Sequence, residues 1–229
     1  MLAAGLTPVP SRAAYLRRWS ELHGGYDPGA SRLVGPWLWL VYTCARPLAR
    51  LRVPPDAVTA LGLVTAAAAA GVARAGGGWL FAAAALVVAS ALVDSLDGAV
   101  AVLTERTTPF GYVLDSVVDR CADLLYILAL WWVGAPAGAC VAAAAAMLLQ
   151  EYLRARAAAG GMTEVGVVTV WERPTRVIVT ATFLLGAAVY RTASSTASAS
   201  WATDAAWVWL GLGAVGLVQL MVVVRRRLR

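Results

Sequence analysis

The residues best suited to chemistry are four aspartates in two closely spaced pairs, Asp94 with Asp97 and Asp115 with Asp119. Both pairs lie in stretches that are otherwise apolar enough to cross a membrane, where a carboxylate is costly and normally has a function and a partner. Offsets of three and four residues place each pair on one face of a helix. Because clustered acids repel one another unless cations neutralise them, the spacing predicts a divalent metal site built by two helices. Hard carboxylate oxygens favour Mg²⁺ or Mn²⁺.

Small residues accompany these aspartates. Gly98 follows the second aspartate directly, Ala101 continues the same helical stripe, and Gly111 lies at the start of the second apolar stretch. A glycine inside a helix costs up to ~1 kcal/mol, so we expect Gly98 to let a ligand approach the backbone. These positions predict a slot for a flat or phosphorylated ligand beside the metals.

The elements that must position these residues are membrane helices. The chain has 229 residues, of which 60% are hydrophobic and 14% are charged, whereas ordinary soluble domains are roughly 45–50% apolar. At about 20 residues per span, we expect an all-α integral membrane protein with six transmembrane helices in one domain, 53–229. The predicted spans are 57–73, 79–103, 109–133, 137–159, 174–190 and 205–224.

The first 52 residues are expected to form a cytoplasmic segment. Residues 1–30 are polar, and we expect them to be loosely ordered and to contain no cleavable signal peptide. Residues 31–52 mix aromatic residues with arginines, which predicts an amphipathic helix in the membrane interface, interrupted near Pro47.

All 19 basic residues are arginines, and they flank the apolar stretches or lie between them. This distribution explains the net charge of +6 without nucleic acid as a partner. The positive-inside rule places both termini in the cytoplasm, and the aspartates on the cytoplasmic face of the cell membrane. Arg154, Arg173 and Arg176 are expected on that same face. Three guanidiniums there favour a pocket for a phosphorylated acceptor, because arginine binds phosphate in a bidentate manner. The alternative is that they only anchor the topology.

The aspartate run resembles the signature of the CDP-alcohol phosphotransferase family, Asp-x2-Asp-Gly-x2-Ala-Arg-x8-Gly-x3-Asp-x3-Asp. Seven of its eight fixed residues are present, and Val102 replaces the arginine. Within the family the chain is similar to phosphatidylinositol phosphate synthases of actinobacterial type. That similarity extends to four further segments: Pro55–Thr59, Asp119–Asp123, Tyr152–Ala157 and Glu172–Arg176.

The resemblance implies a mechanism and a set of site residues. A CDP-linked lipid is the donor, a polar and phosphorylated alcohol such as inositol phosphate is the acceptor, and CMP is released. Two Mg²⁺ or Mn²⁺ ions are held by the four aspartates, with Asp119 also the general base. The CDP-lipid site is implied at Asp56, Ala57, Val58, Thr59, Gly98, Ala101, Thr108 and Gly111. The resemblance also implies a homodimer.

Other functions stay open at this stage. The same reaction could use glycerol phosphate or another alcohol as acceptor. The aspartates could instead bind the cargo of a cation transporter, although such a path needs no nucleotide slot around Gly98 and Gly111. The replacement at Val102 could also mark a relative that has lost activity.

Overall fold

The computed structural model describes residues 9–162, 168–190 and 195–228, and the regular secondary structure within them is helical throughout. The prediction of an all-α protein is therefore confirmed. Eight α-helices and one short 3-10 helix (Pro28–Ala30) form the described chain. The α-helices are α1 Arg12–Leu22, α2 Val34–Arg50, α3 Pro55–Arg74, α4 Trp79–Leu103, α5 Pro109–Val133, α6 Ala137–Ala159, α7 Arg173–Tyr190 and α8 Ser195–Arg227.

The helices that carry the aspartates begin and end where the sequence predicts. The chain turns between α3 and α4 at Gly76 and Gly77, which have positive φ angles of 63° and 54°, and α5 begins at Pro109, a favoured residue for a first helical turn. Three described helices are long and apolar enough to cross a membrane: Pro55–Arg74, Trp79–Leu103 and Ala197–Arg227.

The described part of the N-terminal segment, from residue 9 onward, contains a helix that the sequence did not predict. The Ser11 side chain accepts a hydrogen bond from the Ala14 amide at 3.3 Å and caps α1, which supplies one of the acceptors that a helix start requires. Tyr15 of this helix is 2% exposed. The expected interruption of α2 near Pro47 is also wrong, since α2 continues through that residue to Arg50.

Two compact units can be distinguished by their internal contacts. The first comprises the N-terminal part up to Leu63 together with Leu92–Asp119, and it contains all four aspartates of the sequence motif. Its apolar core is formed by α1–α4 and includes Tyr15, Val41 and Val100. The second comprises Val64–Ala91 together with the chain from Arg120 onward.

The second unit is packed largely through small side chains. Its core contains many fully buried alanines, among them Ala66, Ala83 and Ala143, and small residues let helix backbones approach closely in lipid. Helix α8 packs against α6 and α7. At Gly216 the approach is so close that an added Cβ would lie 2.8 Å from Trp171 Cβ and 2.9 Å from Gln150 Oε1.

Candidate active site

Three aspartates from two helices converge in the first unit. Asp94 of α4 and Asp115 and Asp119 of α5 each offer one carboxylate oxygen, and these oxygens all lie within 4.8 Å of one another. All three side chains are half-buried. Three hard oxygen donors at this spacing fit a divalent cation such as Mg²⁺ or Mn²⁺. The two helices predicted at 79–103 and 109–133 therefore meet at these three aspartates.

Asp97 lies outside this group of three. Its side chain is 6% exposed, and its Oδ1 accepts a hydrogen bond from the backbone amide of Gly98. The Gly98 position is open, because nothing lies within 4 Å of the place that a Cβ would occupy. The structure therefore leaves room beside the α4 backbone at the position where the sequence predicts a slot.

Residues predicted to bind the CDP-lipid also meet at the starts of α3 and α5. The Gly111 amide donates to Thr108 Oγ1 at 2.9 Å. A Cβ at Gly111 would lie 3.1 Å from that oxygen and 3.7 Å from Asp56 Oδ1. Gly111 thus lets the N-terminal turns of two helices come together, with their free amide groups favourable to an anion.

The remaining residues of that predicted set differ in their exposure. Ala57 is exposed and Ala101 is half-buried, so both offer surface to a ligand. Val58, in contrast, packs into the apolar core of the first unit. The Thr59 hydroxyl donates to the Pro55 carbonyl oxygen at 3.2 Å. Val58 and Thr59 therefore hold the start of α3 in place.

Two contacts that support the metal centre were not predicted from the sequence. A Cβ at Gly62 of α3 would lie 3.8 Å from the Asp94 amide, so α3 passes close to α4 beside the first aspartate. On another side, the indole of Trp37 donates to Ser95 Oγ at 3.3 Å and ties α2 to α4. A glycine inside an otherwise apolar span is the one sequence signal that pointed to the first contact.

The arginines predicted to bind the acceptor lie in the second unit, where two of them contact acidic residues. Arg154 binds Glu172 through both terminal nitrogens, at 2.8 and 3.2 Å. Glu172 also accepts from the Thr169 amide and hydroxyl, each at 2.8 Å. Burial alone would raise the pKa of Glu172, but the hydrogen bonds from Arg154 and Thr169 outweigh it and hold that pKa below its ordinary value.

Arg176 is fully buried in a network of oxygen acceptors. Its guanidinium donates to Asp123 Oδ2 at 2.7 Å, to Glu151 Oε1 at 3.1 Å and to the Trp171 carbonyl oxygen at 3.0 Å. Arg120 contacts the same two carboxylates, at 3.5 Å for Asp123 and 2.8 Å for Glu151. This network holds α5, α6 and α7 together, a structural task for Arg176 that its position in the sequence did not indicate.

Arg173 differs from these two arginines. It is the first residue of α7 and its side chain is half-buried.

Comparisons with known proteins agree with the motif. The family model described as CDP-alcohol phosphatidyltransferase matches residues 52–220. The chain is 32% identical over 166 residues to the archaetidylinositol phosphate synthase of Aeropyrum pernix, covering 72% of this chain and 84% of that protein. It is 37% identical over 186 residues to the enzyme of the same name from Methanothermobacter thermautotrophicus, covering 79% and 87%.

Solved structures give the same result. The crystal structure of Mycobacterium tuberculosis phosphatidylinositol phosphate synthase with CDP-DAG bound matches with a TM-score of 0.64 and 30% identity, over 80% of this chain and 92% of that one. The same enzyme in complex with manganese and citrate matches with a TM-score of 0.64 and 29% identity, over 81% and 88%.

Proposed function

The chain belongs to the CDP-alcohol phosphatidyltransferase family of membrane enzymes, and from that premise we propose that it transfers a phosphatidyl or related phospholipid group from a CDP-linked lipid to inositol phosphate, with release of CMP. The observation that carries this proposal is the convergence of Asp94, Asp115 and Asp119 within 4.8 Å. The acceptor is inferred from the relatives, which are archaetidylinositol phosphate synthases and phosphatidylinositol phosphate synthases.

We propose that two Mg²⁺ or Mn²⁺ ions bind at these carboxylates, with Asp97 as a fourth ligand. The relative crystallised with manganese supports this assignment. When bound, divalent ions clamp the diphosphate and stabilise the charge of the departing oxygen. The CDP end of the donor would be held by residues at the helix starts, Asp56, Ala57 and Thr108, and along the slot, Gly98, Ala101 and Gly111. Val58 and Thr59 would fix the start of α3.

Asp119 is proposed to carry the proton. Its carboxylate takes the proton from the acceptor hydroxyl as that oxygen attacks the lipid-side phosphorus. The bond between this phosphorus and the oxygen of CMP then breaks, and CMP leaves with the electron pair. A positioned general base of this kind contributes typically 10²–10⁴-fold to a rate.

The acceptor phosphate is proposed to bind Arg173 and Arg154, with Arg176 holding the elements that carry them. The bidentate pair of Arg154 with Glu172 fixes the orientation of that guanidinium, and arginine is well suited to phosphate. Arg173 is the half-buried first residue of α7, and its guanidinium charge would bind the acceptor phosphate.

The placement in the membrane is proposed from the charge distribution. We propose six spans, both termini in the cytoplasm of the cell, and an active site on the cytoplasmic face of the plasma membrane. The amphipathic helix α2 would lie in the interface, since Val41 and Ala45 are buried whereas Arg46 and Arg50 are exposed. Residues 53–229 would form the enzyme domain and the N-terminal segment would precede it, in a homodimer.

The function is tested by following CMP release from CDP-diacylglycerol by the purified protein in detergent with Mn²⁺. Inositol phosphate, inositol and glycerol phosphate are supplied in separate reactions. We expect CMP release that depends on inositol phosphate and stops when EDTA removes the metal.

Each other outcome corrects a stated part of the proposal. Release that depends only on glycerol phosphate would replace the acceptor. No release with any acceptor, from protein that is shown to be folded, would refute the reaction itself.

A further inference from the structure

A buried chain of hydrogen bonds runs from α6 to Glu172, which directly precedes α7. Gln150 of α6 and Thr169 are both buried. The side-chain amide of Gln150 donates to Thr169 Oγ1 at 2.9 Å, and the Thr169 hydroxyl lies 2.8 Å from Glu172 Oε1. All three residues belong to the second unit, and the proposed reaction assigns no task to Gln150 or Thr169.

The direction of these hydrogen bonds is determined by the donors around Thr169. Its hydroxyl oxygen accepts from Gln150 Nε2 and from the Trp171 amide, the latter at 3.3 Å. Gln150 Nε2 also donates to the Trp171 carbonyl oxygen at 3.5 Å, and a carbonyl oxygen can only accept, so the nitrogen of the Gln150 amide faces Thr169. A hydroxyl has one proton to donate. Among these three neighbours Glu172 is the acceptor, so the Thr169 hydroxyl donates to its carboxylate.

Glu172 is held by Thr169 through two hydrogen bonds. The Thr169 amide and hydroxyl both donate to Glu172 Oε1 at 2.8 Å, so Thr169 fixes this carboxylate independently of Arg154. Glu172 in turn accepts from both terminal nitrogens of Arg154, and a two-point contact of this kind determines the plane of a guanidinium. Partly exposed ion pairs hold their partners weakly without such support, and the two side chains here are 35% and 24% exposed.

The segment that contains Thr169 and Glu172 is also fastened from α8. Residues 168–172 form neither a helix nor a strand, so no regular ladder of backbone hydrogen bonds holds them. Gln219 of α8 accepts from the Val170 amide at 3.0 Å. Side-chain amides of α6 and α8 therefore determine where this segment lies, and with it the carboxylate that orients Arg154.

We propose that Thr169 and Gln150 are positioning residues that act through Glu172 to orient Arg154 for the phosphate of the acceptor; the inference rests on the proposed function. In this role neither residue needs to contact the acceptor. An arginine side chain loses rotamer freedom when it binds a ligand, and a guanidinium that is already fixed loses less of it. Because a guanidinium has five N–H donors, one that holds Glu172 with two of them can also donate to a phosphate.

The test measures binding of labelled inositol phosphate to the full chain in detergent with Mn²⁺ by equilibrium dialysis, together with the kinetics of CMP release. Thr169→Val removes the hydroxyl and keeps the backbone amide and the shape of the side chain. We expect it to weaken inositol phosphate binding and to raise the KM for this acceptor about threefold to tenfold, the usual effect of one hydrogen bond. The kcat and the KM for CDP-diacylglycerol should change by less than about twofold. Thr169→Ser, which keeps a hydroxyl, should restore acceptor binding.

Thr180→Val is the matched control. Thr180 is a buried threonine of α7 in the same unit. Its hydroxyl donates to the Arg176 carbonyl oxygen at 2.8 Å and accepts from the Trp209 indole at 3.1 Å. Either valine variant removes the acceptor of a buried N–H group, so both should lower the melting temperature. Only Thr169→Val should weaken the binding of inositol phosphate.

A double-mutant cycle with Glu172→Ala separates an effect through Glu172 from a general disturbance. Glu172→Ala should weaken inositol phosphate binding at least as much as Thr169→Val does. Addition of Thr169→Val to Glu172→Ala should then weaken binding by less than about twofold further, because residues that act in one chain are not additive. Gln150→Leu removes the donor that directs the Thr169 hydroxyl toward Glu172, and it should weaken binding in the same direction.

Four results would overturn the proposal. Thr169→Val could bind inositol phosphate as tightly as wild type, Thr180→Val could weaken binding equally, or the effect of Thr169→Val could persist in Glu172→Ala. Tighter binding by Glu172→Ala would also overturn it, because Glu172 would then compete with the acceptor for Arg154.

The positioning role and the proposed reaction fail separately, because dialysis requires no turnover. Inositol phosphate binding that depends on the Thr169 hydroxyl, without CMP release, would refute only the reaction. CMP release with an unaltered acceptor KM in Thr169→Val would refute only the positioning role.

Discussion

Replacing Arg176 by methionine tests whether this arginine holds the fold together or serves the acceptor. Methionine keeps most of the side-chain length and removes the charge. Asp123, fully buried, then loses its 2.7 Å partner and keeps Arg120 at 3.5 Å. Glu151 is less affected, because it retains Arg120 at 2.8 Å and is partly exposed.

The expected loss follows from the burial of this pair. Both side chains are 0% exposed, and removing one partner of a buried ion pair costs about 3–5 kcal/mol because the remaining buried charge loses its closest partner. A second substitution should recover much of that loss. The double variant Arg176→Met with Asp123→Leu removes both members of the buried pair, so we expect it to be about 3 kcal/mol or more above the single variant in stability.

The free energy of unfolding can be measured in mild detergent by titration with a denaturing detergent, with tryptophan fluorescence as the signal. Arg156→Met is the matched control, because this arginine of α6 is exposed. We expect it to cost less than about 1 kcal/mol, as surface substitutions usually do.

Two results would refute this reasoning. If Arg176→Met unfolds within about 1 kcal/mol of wild type, the buried network does not stabilise the fold. If the double variant is no more stable than the single one, the loss does not come from the stranded Asp123 charge.

Three further outcomes are expected. Asp119→Asn should lower kcat for CMP release by about 10²–10⁴-fold; a rate equal to wild type would refute its role as base. Gly98→Leu should abolish CDP-lipid binding with the melting temperature unchanged, because its side chain enters open space. Gly138→Leu, whose position is equally open, is the control. Equal loss of binding in both variants would contradict a ligand slot at Gly98. Because the pKa of Glu172 is lowered in the folded state, the ionised carboxylate contributes stability that is fully present above the ordinary pKa of 4.5. This contribution disappears as pH falls through the lowered pKa. The unfolding midpoint of Glu172→Gln, measured against pH, should therefore be less acid-sensitive than that of wild type.

Helix positions followed from the sequence where apolar runs end at glycine or proline. The bounds predicted for α4, α5 and α6 agree with the structure, because these residues interrupt helices for local steric reasons. Prediction failed where polar residues form helices. Helix α1 is polar, and α8 begins at Ser195, before the predicted start at 205, since serine, threonine and alanine carry no apolar period to reveal a helix.

The candidate site was predictable as far as spacing on a helix determines it. Asp115 and Asp119 share a face by their offset alone, and the proximity of Asp94 followed from pairing two consecutive helices. The partners of Arg154 and Arg176 could not be predicted in this way. Their carboxylates lie 18 and 53 residues away in sequence, and only the folded chain decides which charges meet.

The contact between Gly216 and Trp171 has a consequence for the long helix α8. In lipid, one apolar face of a helix is as favourably solvated as another, because no hydrophobic force distinguishes them. Helix α8 could therefore slide along α6 with little penalty from burial. Any other residue at the place of Gly216 would bring its Cβ to 2.8 Å from Trp171 Cβ, which is too close. The glycine at position 216 thus sets the register of the 33-residue helix α8 against its neighbours.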